Sequence, residues 1–146
     1  MEMDTAPHVE IRVTQRFDAP ADRVFNAWID PAVAGLWLFA TASRPAARVE
    51  IDAHVGGSFR FVERSGSEDS GHAGEYIEIV GPRRLVFTLS EQERSRSPSR
   101  VVVEILPEGT SCKLALVHES VPPDHASRIE GRWAGMLYGL EMLLGR

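Results

Sequence analysis

The stretch from Asp124 to Leu144 limits the possible folds more than any other part of the chain. Laid out at about 100° per residue, Ile129, Trp133, Met136, Leu137, Leu140, Leu143 and Leu144 fall on one side. An apolar stripe of that width is the buried face of an amphipathic helix. Asp124 and Ser127 are both placed to cap its start, because their side-chain oxygens accept free first-turn N–H groups. Most of the upstream chain alternates like strands, so the helix needs a sheet to cover its stripe. The expected class is α+β, a curved antiparallel sheet wrapped around a long C-terminal helix, with any function lying between the two.

The strand pattern starts at Val9, Ile11, Val13 and Phe17, which recur at period two, with Gln15 a polar residue on the same parity. Pro20 or Ala21 then opens a short helix with Val24, Phe25, Trp28 and Ile29 on its apolar face. Asp30-Pro31 breaks that helix, because the residue before proline is pushed out of helical geometry, and Pro31 opens a second helix through Trp37. Leu36 to Phe39 form a dense apolar cluster expected to plug against the sheet, and Thr41 to Ala47 read as a loop. Alternation resumes at Val49 and Ile51, at Phe59 and Phe61, at Ile77 and Ile79, and at Leu85, Phe87 and Leu89. It continues at Val101, Val103 and Ile105 and ends at Leu114, Leu116 and His118. Gly56-Gly57, Ser65 to Gly71, Gly81-Pro82 and Pro107-Glu108-Gly109 are turn signals, and Glu91 to Ser99 is a long polar connection. Turns this short favour antiparallel neighbours, since parallel strands need long crossovers.

The totals exclude several function classes. A chain of 146 residues points to one domain. Net charge is -5 and the Arg and Lys residues are scattered, which disfavours nucleic acid as a partner. No apolar run reaches the length of a membrane span, and Met1 to His8 lack a signal pattern. Cys112 is a lone cysteine and fits a reducing compartment, so a cytoplasmic location is expected. His8, His54, His72, His118 and His125 show no metal-ligand spacing, so neither a metal nor any other cofactor is expected.

The ordered motifs resemble the family named after the activator of the Hsp90 ATPase, within the START-like, Bet v 1-like (SRPBCC) superfamily. The resemblance rests on Phe17-Asp18-Ala19-Pro20, Val24 to Trp28, Asp30-Pro31 and Trp37. It continues with Gly56 to Phe61, Gly74-Glu75-Tyr76, Gly81 to Phe87, Gly109-Thr110, Leu114 to Glu119 and Gly131 to Trp133, and so runs from about Val9 to Leu144. The family usually sets glycine directly before the tryptophan of the last helix; here Arg132 intervenes. The resemblance implies a helix-grip fold with a cavity between sheet and C-terminal helix. It implies three functions: holding a small hydrophobic molecule, contacting an Hsp90-type chaperone, or cyclase- or dehydratase-like catalysis.

Candidate site residues follow from parity on this fold. Phe59, Phe61, Ile77, Phe87 and Leu116 would line the sheet side of a ligand cavity, and Trp133, Met136, Leu137 and Leu140 the helix side. The candidates for orienting a ligand are His118, Glu63, Glu75 and Tyr76. His118 is either a rim residue or a site residue, given its titration range. Glu63 and Glu75 either form an acid and base pair beside the cavity or sit in water beyond the sheet edge. No catalytic residue is assigned, and binding is expected over catalysis. Gly131, Gly135 and Gly139 recur opposite the apolar stripe; their cost in a helix, about 1 kcal/mol each relative to alanine, points to close approach by another element, such as a second copy in a homodimer, or to a tolerated solvent face.

Overall fold

A computed structural model describes residues 8–39, 48–65, 68–91 and 99–144; for residues 63–65, 68–70 and 91 it describes the backbone path alone. The order is β1 (Val9–Phe17), α1 (Ala21–Ile29), α2 (Pro31–Trp37), β2 (Arg48–Ile51), β3 (Ser58–Ser65), β4 (Glu68–Val80), β5 (Arg84–Glu91), β6 (Ser99–Glu108), β7 (Ser111–Val121) and α3 (Pro123–Leu144). The seven strands form one antiparallel sheet in the order β1-β7-β6-β5-β4-β3-β2. This is the helix-grip arrangement that the motifs imply.

The local chemistry accounts for the elements. Pro20 stands at the N-cap of α1, and Asp30 caps α2 by accepting the Ala32 N–H at 3.1 Å. The Trp37 indole N–H reaches back to the Ala27 carbonyl at 3.1 Å and fixes the two short helices as a V. Trp37, Leu38 and Phe39 are buried as expected of a plug, while Leu36 is 60% exposed. Trp133, Leu137, Leu140 and Leu144 form the buried stripe of α3, with Ile129 and Met136 at its margins. Leu143 lies outside the stripe, 40% exposed. α3 begins at Pro123, one residue before the expected start.

Two expectations about the sheet are corrected. The β3–β4 strands extend into the region read as a hairpin tip, β3 to Ser65 and β4 from Glu68. The second correction concerns β4: Tyr76 is buried, whereas Glu75 and Ile77 are exposed. The cause is a bulge between Tyr76 and Glu78, which lets Tyr76 pair with Phe87 and Ile79 pair with Leu85, so that Tyr76 and Ile79 both turn inward three positions apart. Strict alternation cannot place both inside. Thr41 to Ala47 and most of the Glu91 to Ser99 connection lie outside the described residues.

The sheet does not close on itself, because β1 and β2 are its two ends. Helices cover both ends: α3 packs chiefly on β1 and α2 on β2, and α2 meets α3 between them. At that meeting the Phe39 backbone N–H points at the Met136 sulfur, 3.0 Å away.

Candidate functional site

The interior between helices and sheet is filled with rings. Trp28 of α1 sits edge-on to Trp37, with centroids 4.8 Å apart, and lies 6.2 Å from both Phe87 and Trp133. Phe59 contacts Tyr76 at 5.3 Å, Phe87 at 5.4 Å and Phe61 at 6.1 Å. These spacings are those of favourable edge-to-face and tilted ring pairs. Gly74 makes this packing fit: a Cβ there would lie 1.8 Å from the Thr88 carbonyl oxygen and 2.7 Å from the Phe59 ring.

Among the described residues a void of about 10 Å³ is bounded by Trp28, Leu38, Phe39, Phe59, Phe61, Tyr76, Leu85 and Phe87. A volume of that order holds about one water molecule, whereas open ligand pockets run to hundreds of Å³. This void is far smaller than the roomy hollow expected between sheet and C-terminal helix. The void lies beneath α1 and the end of α2, and no α3 residue borders it.

Of the expected lining residues, Phe59, Phe61 and Phe87 border the void. Leu116, Trp133, Leu137 and Leu140 are buried in the adjoining core, and Met136 is half-buried between α3 and Phe39. Ile77 and Glu75 face outward, so Ile77 does not line the hollow and Glu75 takes the second of its two expected placements, in water. The Glu63 side chain lies outside the described residues. Among the described residues, the buried histidines are His72 and His118.

His118 has structural ties. Its Nδ1 accepts the Trp133 indole N–H at 3.0 Å, which assigns its own proton to Nε2. Nε2–H then donates to Ser99 Oγ at 2.7 Å, and that hydroxyl donates to the Leu89 carbonyl at 3.4 Å. The line runs from α3 through β7 and β6 to β5. Trp28 differs. Its indole nitrogen is buried and has no hydrogen-bond partner among the described residues. An unpaired buried donor costs about 1–3 kcal/mol, so this indole is the polar feature of the hollow that demands a reason. Tyr76 also borders the void; burial and then the nearby Asp52 carboxylate push its phenol pKa up, so it stays a donor at neutral pH.

His72 was not among the site residues expected from the sequence. It is buried on β4 and stacks on Phe39 with centroids 4.2 Å apart and planes 6° from parallel. Its parity with Gly74 and Tyr76 is the available signal, hidden because the alternation points to a strand starting only at Gly74. On the outside of α3, a Cβ at Gly131, Gly135 or Gly139 would meet no atom within 4 Å. Among the described residues, no helix is long and apolar enough to cross a membrane and no cluster of three His, Cys, Asp or Glu side chains could hold a metal ion.

Comparison with known proteins agrees with this architecture. A protein of Chromobacterium violaceum shares the fold with a TM-score of 0.83 at 24% identity, covering 96% of this chain and 99% of its own. One from Rhodobacter sphaeroides does so at 0.80 and 21% identity, covering 98% and 96%. An Hsp90 activator of Plasmodium falciparum aligns with a TM-score of 0.72 at 25% identity, covering 93% and 96%. No curated protein sequence matches the chain. The description "Activator of Hsp90 ATPase homolog 1-like protein" matches residues 18–145, and the chain belongs to that family.

Proposed function

We propose that this chain binds a small, neutral, largely apolar molecule in the hollow beneath α1 and α2, in the cytoplasm and without chemical change. The observation that carries this reading is the Trp28 indole N–H, buried and unpaired among the described residues, beside a void whose walls are otherwise almost wholly apolar. A ligand with a hydrogen-bond acceptor would regain the energy that the orphan donor forfeits. Apolar area would supply the remainder, at about 25 cal/mol per Å² removed from water. A charged ligand would be disfavoured, since the walls offer it no counter-charge. Because the void beside Trp28 has room for about one water, binding there requires the interior to open.

The test is native mass spectrometry of the protein isolated from its own cells, alongside Trp28→Phe. A carried small molecule that is lost in the variant supports the proposal; an empty wild type argues against it. A second reading has its own support. The Plasmodium falciparum relative is an Hsp90 activator at 25% identity, and a filled interior suits a protein that acts through its surface. In that case the chain would change the ATPase rate of the host's Hsp90-type chaperone, and Trp28→Phe would leave that effect intact.

A further inference from the structure

We infer that Phe39 is a built-in stand-in for the ligand: its ring occupies the place that a planar aromatic molecule takes when the site opens. This inference rests on the ligand-binding reading above. Three observations converge on Phe39. Its backbone has φ 56°, in the left-handed region, where a bulky side chain is a genuine outlier. Such strain persists only where the surroundings impose it, and it gathers at switches and ligand clamps. The ring itself lies in a slot. It stacks flat on His72 at 4.2 Å, and it meets Phe61 at 5.3 Å and Trp133 at 5.8 Å in edge contacts. Finally, Phe39 borders the void that Trp28 also lines.

A plain core phenylalanine would fill space equally well with an ordinary backbone. Here the chain turns sharply after α2, whose last hydrogen bond runs from Leu38 N–H to the Ala34 carbonyl. The strained residue thus directly follows the last hydrogen bond of α2. A backbone change that takes Phe39 out of the left-handed region would carry the ring from the slot and relax that strain, which offsets part of the lost packing. It also breaks only a weak tether, the N–H to Met136 sulfur contact. The vacated slot is ring-shaped, flanked by the His72 face and the edges of Phe61 and Trp133, and continuous with the void beside Trp28. The matching ligand class is a neutral planar aromatic carrying one acceptor, such as an aryl ketone.

The test uses acetylnaphthalene as probe and ethylnaphthalene as its counterpart without an acceptor. Both are titrated by tryptophan fluorescence into wild type, Phe39→Gly and Phe39→Leu. Glycine tolerates the left-handed backbone while deleting the ring. If closed molecules dominate, removing the plug tightens apparent affinity by about tenfold or more, with faster association and a preference for the ketone. Phe39→Leu should fall between glycine and wild type. A folded Phe39→Gly that binds no tighter than wild type overturns the inference. Should the glycine variant not fold, an association rate for Phe39→Leu equal to wild type overturns it. Wild-type binding that neither substitution alters leaves the ligand reading standing and removes the plug. No binding by any of the proteins removes both. Binding by Phe39→Gly alone supports the plug and counts against a native aromatic ligand.

Discussion

Trp28 and Trp133 lie 6.2 Å apart in the same core and meet opposite fates. Both are 2% exposed. Trp133 hands its N–H to His118 and so joins a line of hydrogen bonds crossing the strands to β5. Trp28 hands its N–H to nothing among the described residues and borders the small void in the ring cluster. The surroundings of the Trp133 indole, on α3, β7 and β6, thus satisfy its donor. The surroundings of the Trp28 indole, formed by α1, the end of α2 and β3 to β5, keep an unused donor and a void beside the left-handed Phe39. The lesson is that burial alone does not distinguish scaffold from site; satisfaction of the buried polar atoms does.

The sharpest way to break this comparison is Leu137→Ala. Leu137 is fully buried on the α3 side, and truncation there should cost about 2–5 kcal/mol in urea unfolding; a loss well below that range would mean the anchored half is not rigid. Next in size is His118→Ala, which leaves the Trp133 N–H as orphaned as that of Trp28. A loss of about 1–3 kcal/mol is expected, and no loss would dissolve the contrast between the two indoles.

Gly135→Ala sharpens the picture from the outside of α3. With open space around the added methyl, stability should rise by about 1 kcal/mol from helix propensity, measured by thermal or urea unfolding at fixed concentration. A fall instead, together with a lower mass by light scattering, would show the glycine face packed against a second copy.

The smallest effect near neutrality is a pH dependence. Burial, and then the nearby Glu108, push the Cys112 thiol pKa up, and burial with Asp52 does the same for Tyr76. Both groups are neutral acids held uncharged by the fold. Their contribution is therefore intact below their ordinary values, about 8.5 and 10, and is lost as pH rises beyond them. Urea midpoints should stay level up to about pH 8 and decline above it, and the Cys112 thiol should resist labelling at pH 8 until the chain unfolds; prompt labelling of folded protein would show the thiol open to solvent.

Much of the architecture was legible from simple spacing. The stripe of Trp133, Leu137 and Leu140 fixed the last helix, and Asp30-Pro31 fixed the break between the first two. The strands followed wherever alternation was unbroken, as in β6 and from Cys112 to His118 of β7, whereas Val9, beyond the irregularity between Val9 and Ile11 in β1, turned outward. The site was less legible, for definable reasons. The bulge at Tyr76 and Glu78 reversed the face of Glu75 and Ile77, and no period-two rule contains a bulge. The pairing of His118 with Trp133 joins two elements whose mutual angle the sequence does not specify. The left-handed backbone of Phe39 has no residue signature at all, because phenylalanine is among the residues least expected there.

The two free ends of the sheet, one under α2 and the other under α3, carry a mechanical consequence. A closed barrel admits cargo through its mouth, and widening its wall means tearing rungs from its ladder. A cuff fastened along one seam by helices has another option: parting α2 from α3 would widen the interior while every strand-to-strand hydrogen bond stays in place.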